Sequence, residues 1–254
     1  PQKYFIEQLA DTLVDVNVMI PPGSNPAAYE PTPKQMIDLH HSQLYFLSGH
    51  LNFEKNWISR ILKENPQITV VQTSADIDFF EAEEHDHGHH HDHQHIVDPH
   101  VWMSPVRVKT IAATMAVALD SLLPNHSATI QQNLNDFNTE LDSLDNWIRD
   151  QLRSVTSRDF LIYHPALTYF ADDYGFNQYV LEKDGKTPDA RYVKELTQRA
   201  RELKIDKIFV QQQFDQSNAA LISNEIGAEN IIFDPLSEDW KNQVIHVTKK
   251  LSNE

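Results

Sequence analysis

A chain of 254 residues with no cysteine and a formal net charge of -16 excludes several classes of function at once. No basic stripe exists to neutralise phosphates, so nucleic acid is not a partner. Without thiolates there are no disulfide staples, and any metal must be held by His, Asp or Glu. No apolar run approaches the ~20 residues needed to span a bilayer, and the length suits one large or two modest units.

Pro1 begins abruptly before a helical pattern, which reads as a start from which a signal or lipid anchor is missing. Short apolar runs bounded by turn residues then predict buried strands at Val16–Ile20, Leu44–Leu47 and Ile68–Val71. A second set follows at Phe160–Tyr163, Tyr179–Leu181, Ile208–Val210 and Ile231–Phe233. Amphipathic stretches such as Val193 to Leu203 and Ser217 to Ile226 separate them, the latter stopping at Gly227. Strand and helix alternate in both halves. That predicts an α/β fold of two lobes, each with a mainly parallel sheet flanked by helices.

The connector between the halves has its own pattern. From Pro124 onward, Ile130, Leu134, Phe137, Leu141, Leu144, Ile148 and Leu152 recur at steps of three or four. One face of a helix of about eight turns results, too rigid for a loose linker. The expected organisation is a first lobe over 1–123, a backbone helix over 124–154 and a second lobe over 155–254.

Residues 84–105 read EHDHGHHHDHQHIVDPHVWMSP, with eight imidazoles among acids. The tract His85, His87, His89, His90, His91, His93 and His95 offers interchangeable nitrogens without fixed geometry, a low-specificity collector of borderline metals. His100 stands apart from it. Pro99 restricts the backbone before it, an apolar run follows, and Asp98 is placed to fix its tautomer. His164 ends one predicted strand and Asp234 another, each followed by proline. In open α/β sheets that edge gathers ligands. Two imidazoles and one carboxylate suit Zn²⁺, although Fe²⁺, Co²⁺ or Ni²⁺ use the same donors.

These residues carry a family resemblance. PPGSNPAAYEPTPKQM at 21–36, SGHLNFEKNW at 48–57, the acidic His-rich segment, DPHVWMSP at 98–105, YHPALTYFADDYGF at 163–176 and FDPLSEDW at 233–240 stand in order along almost the whole chain. The chain thereby resembles the ZnuA/TroA-like substrate-binding proteins of zinc and manganese ABC importers. The resemblance implies two lobes joined by one long backbone helix, with metal held in the cleft by His100, His164 and Asp234. It implies a periplasmic or membrane-anchored extracellular monomer that delivers the ion to a membrane permease. His164 favours zinc over manganese or iron, since manganese relatives carry Glu at that position.

The sequence departs from the family pattern at Ala27, which stands where the first histidine ligand is expected. Water completes the coordination, or another donor does: Glu30, His40, His41, His50 or the His-rich tract. Two other readings compete. A zinc hydrolase would use an open coordination position, but no HExxH helix accompanies it. A metal-buffering surface adhesin would make the tract the working part. The reading carried forward is a non-enzymatic binding protein that captures zinc.

Overall fold

The computed structural model describes residues 1–26, 28–80, 97–182, 188–214 and 216–252. Ala27 and the His-rich tract at 84–95 lie outside the described residues.

The chain enters through helix α1 (Gln2–Ala10), whose Phe5, Ile6, Leu9 and Ala10 are buried. Helix α2 (Pro33–His40) starts where its sequence dictates. Thr32 and Gln35 form a reciprocal capping box, and Pro33 occupies a first-turn position that needs no N–H donor. Strand β1 (Leu44–Leu47), helix α3 (Asn52–Glu64) and strand β2 (Thr69–Gln72) follow, with the strands parallel and Leu44 opposite Thr69. Helix α4 (Pro105–Leu122) is capped by Ser104 and buries Val108, Ile111, Ala112, Met115, Ala116 and Leu119.

Helix α5 runs from Ser127 to Leu152, preceded by a short turn over Pro124–His126. The predicted stripe is its buried face: Ile130, Phe137, Leu141, Leu144, Ile148 and Leu152 are buried, and Leu134 packs against the same core. Along its length α5 touches α1 and α4 of the first lobe.

The second lobe comprises strand β3 (Asp159–Ile162), helix α6 (Thr168–Tyr174), strand β4 (Asn177–Val180), helix α7 (Ala190–Leu203), strand β5 (Lys207–Gln211), helix α8 (Ser217–Ile226), strand β6 (Glu229–Phe233) and helix α9 (Trp240–Ser252). Its four strands are parallel in the order β4-β3-β5-β6. Helix α9 packs on α5. One apolar core therefore runs from Phe5 and Met115 through Phe137 and Ile148 to Phe209, Trp240 and Leu251. The fold class expected from the sequence, two parallel-sheet lobes on one long helix, is the fold observed.

Val16–Ile20 differs from expectation. No strand forms there, because the carbonyls of Val18 and Met19 accept from the side-chain amide of Gln35 rather than from a neighbouring strand. A cavity of about 760 Å³ opens between Val14 to Met19 and the β1 residues Leu44, Tyr45 and Phe46; His100, His164 and Asp234 do not line it.

The turn after β1 is tightly specified. Gly49 has φ +80°, and a Cβ there would meet Ser74 Oγ at 2.8 Å and Gln72 Nε2 at 2.9 Å. Beneath it, Glu54 Oε1 accepts from the Ser48 N–H at 2.7 Å, while Oε2 has no hydrogen-bond partner among the described residues. Burial lifts this carboxyl from 4.5 to about 7, against the opposing pull of the Ser48, Leu51 and Gly49 amides.

Two outcomes are expected. Leu141→Ala should lower the unfolding free energy by about 2–5 kcal/mol while the chain still unfolds in one step, since both lobes share the core it perforates; separate transitions in urea would contradict this. Because the folded state holds the Glu54 proton more tightly than the unfolded state, the contribution of this group to stability is fully present below 4.5 and falls as pH rises from 4.5 through about 7. That loss is about 3 kcal/mol for this group. Glu54→Gln should remove it in urea titrations of metal-free protein at stepped pH, and identical pH slopes for the two proteins would disprove the assignment.

Candidate metal site

Parallel strands deliver their carboxyl ends to one edge, and the second lobe's polar residues gather there. Phe209 C=O accepts from Tyr163 N–H at 2.9 Å, carrying the chain one residue past β3 to His164. Gln211, at the end of β5, holds His164 from both sides: its Oε1 accepts from the His164 N–H at 3.3 Å and its Nε2 donates to the His164 carbonyl at 2.5 Å. Gln211 pairs with Phe233 across β5 and β6, which brings Gln212 and Gln213 beside Asp234.

The first lobe supplies His100, in the turn before α4. Its backbone N–H and its ring Nδ1 both reach Asp98 Oδ1, at 2.8 and 2.7 Å. Burial alone would raise the pKa of Asp98, but the charge and hydrogen bonds of His100 outweigh it and hold the carboxyl below its ordinary value. His164 is arranged the same way, its Nδ1 at 2.6 Å from Glu182 Oε1. An ionised carboxylate can only accept, so each ring faces its carboxylate with an Nδ1 proton, and a ring that is otherwise neutral presents its Nε2 lone pair.

The two rings meet. Imidazoles bound through Nε2 to one tetrahedral zinc at ~2.0–2.1 Å would have centres ~5.2 Å apart; those of His100 and His164 are 5.4 Å apart with planes at 79°. His100 is buried and the His164 side chain is 29% exposed, so the pair opens to solvent on the second-lobe side. Phe214 stacks on His164 at 5.2 Å and Trp102 packs edge-on to His100 at 5.2 Å. These apolar walls confine the rings.

Asp234 is placed at the same edge but is engaged. Its Oδ2 accepts from Gln212 Nε2 at 2.8 Å, and its Oδ1 from Gln213 Nε2 at 2.6 Å and the Leu236 N–H at 2.9 Å. Among the described residues no three His, Asp or Glu side chains converge closely enough to enclose an ion. The structure thus brings His100 and His164 together and ties Asp234 to glutamines.

The other donors named from the sequence are scattered. His40 Nδ1 lies 3.1 Å from Asn65 Oδ1, and the rings of His40 and His41 touch each other. His50 alone of the three follows a strand into the sheet's carboxyl edge, with φ 65° and its ring 4.4 Å from Phe79. Sequence reasoning anticipated Asp98 as the partner of His100. It missed Glu182 and Gln211, although both stand at the ends of apolar strand runs where His164 and Asp234 were found.

Two parallel-sheet lobes thus share one long helix, with the His100 and His164 imidazoles paired where they meet. Residues 1–251 match the family described as zinc-uptake complex component A, periplasmic, and the chain belongs to that family. It is similar to the zinc-binding lipoprotein AdcA of Streptococcus pneumoniae, 28% identical over 246 residues that cover 93% of this chain and 48% of the relative. It is also similar to the high-affinity zinc uptake system protein ZnuA of Bacillus subtilis, 28% identical over 244 residues, 93% of this chain and 76% of the relative. A crystal structure of ZnuA matches with a TM-score of 0.92 and 33% identity, covering 100% of this chain and 95% of that one. The chain spans about half the length of the first of these relatives.

Glu182→Ala should weaken zinc binding roughly ten- to hundred-fold, the usual effect of removing a carboxylate that orients a ligand imidazole. Chelator competition measures this, with circular dichroism as the fold control. Unchanged affinity would show that Glu182 does not act through His164.

Proposed function

We propose that the chain captures a divalent transition metal, zinc before manganese or iron, outside the cytoplasm, and delivers it to the membrane permease of an ABC importer. The observation that carries this reading is the imidazole pair at 5.4 Å with each Nδ1 held by its own carboxylate. In this reading His100 and His164 bind the ion through Nε2, and Asp234 exchanges its glutamine partners for the metal. Lobes over 1–123 and 155–254 form the two walls, with 124–154 as the connecting strut. Mixed nitrogen and oxygen donors suit zinc, whereas an all-oxygen site would suit magnesium or calcium. The net charge of -16 raises the local concentration of cations near the surface, an effect that salt screens.

The test is a zinc titration of the metal-free protein by calorimetry and chelator competition. One tight site is expected, and His100→Ala, His164→Ala and Asp234→Ala should each weaken it at least ~100-fold, more than the loss of an outer partner. Ester and phosphate hydrolysis should stay at background with and without zinc. Affinity insensitive to both histidine substitutions would sink the assignment, and zinc-dependent turnover would favour a hydrolase.

A further inference from the structure

Tyr169 belongs to α6 of the second lobe, yet its hydroxyl serves the first. Its Oη donates to the Asp98 carbonyl at 2.6 Å and accepts from the Phe80 N–H at 3.3 Å. Asp98 and Phe80 also bond directly, N–H to carbonyl, at 3.4 Å. The phenol is wholly buried, and burial together with the nearby Asp98 carboxylate keeps it protonated as a donor. Its ring lies 5.3 Å from that of Phe80. The Arg107 guanidinium covers both rings, at 4.9 and 5.3 Å, and pairs with Asp172 and Asp173 on α6.

Two consequences meet at Asp98. Its carbonyl is pinned from the opposite lobe, while its carboxylate orients His100 through backbone and ring. The same short segment that ends in Tyr169 begins with His164. A single stretch therefore carries one imidazole and the clamp on the other.

We propose that Tyr169 is a positioning residue for the metal site: by fixing Asp98 across the lobe boundary, its hydroxyl sets the placement of His100 against His164. The proposal rests on the reading that these two histidines hold the ion. The contacts it is argued from are those of Phe80 and Asp98, both among the described residues.

A double-mutant cycle in the full chain tests it, using zinc affinity by chelator competition and zinc release rate by stopped flow. Tyr169→Phe removes one oxygen and keeps the buried ring. It should weaken zinc roughly ten-fold and speed release, with an unchanged circular dichroism spectrum. In a His100→Ala background the same substitution should add less than about two-fold, because there is no ring left to place. A ten-fold loss in both backgrounds would make Tyr169 a general lobe brace and overturn the proposal. So would a Tyr169→Phe protein that binds as the parent does. If His100→Ala itself leaves affinity unchanged, the metal-site reading fails first, and the cycle shows which of the two has failed.

Discussion

Two buried indoles hold the lobes in register. An indole N–H can only donate, and leaving one unpaired in a core costs about 1–3 kcal/mol. Trp102 Nε1 donates to the Pro235 carbonyl and Trp240 Nε1 to the Trp102 carbonyl, each at 2.7 Å. Trp102 lies two residues after His100, and Pro235 directly follows Asp234. The demand for these two hydrogen bonds therefore joins the segment bearing the first-lobe imidazole to the segment bearing the second-lobe carboxylate. Around them Phe5, Tyr4 and Phe137 pack against one another, and Tyr4 and Phe5 against Trp240, with Phe5 and Trp240 ring centres 5.1 Å apart. Lobes stitched this way, and sharing one core along α5, resist wide hinge opening.

Much of this was legible in the sequence. The α5 stripe could be read because helical spacing is local, and burial followed it residue by residue. His164 and Asp234 could be placed because each stands just past an apolar strand, at the carboxyl edge of a parallel sheet, and His100 because Pro99 and an apolar run bracket it. Their partners could not be read in the same way. Glu182 is eighteen positions from His164, and Gln211 forty-seven. Those pairings follow from strand order β4-β3-β5, which alternation of strand and helix does not specify. Tyr169 looked like one more apolar residue of α6, since only the lobe packing shows where its hydroxyl goes. Val16–Ile20 misled for a related reason: its composition suits a strand, but a strand also needs backbone partners, and Gln35 takes two of its carbonyls.

The imidazoles sit among more negative charge than neutral rings can balance. Asp98 and Glu182 each hold an Nδ1, and Asp234 waits at the same edge. Buried or half-buried carboxylates need compensation by hydrogen bonds or cations. Around Asp98 that compensation comes from His100. Around Asp234 it comes from two glutamine amides and a backbone N–H.

The choice of amides has a physical consequence. Lysine or arginine in place of Gln212 and Gln213 would neutralise Asp234 permanently and repel an incoming dication. A neutral amide orients the carboxylate without cancelling its charge, and its hydrogen bond is weaker than an ion pair. In the proposed reading a dication at the two rings would compete for Asp234 against neutral amides rather than against a fixed positive charge. On that reading capture would draw on charge already at the edge, and release would return Asp234 to the glutamines beside it.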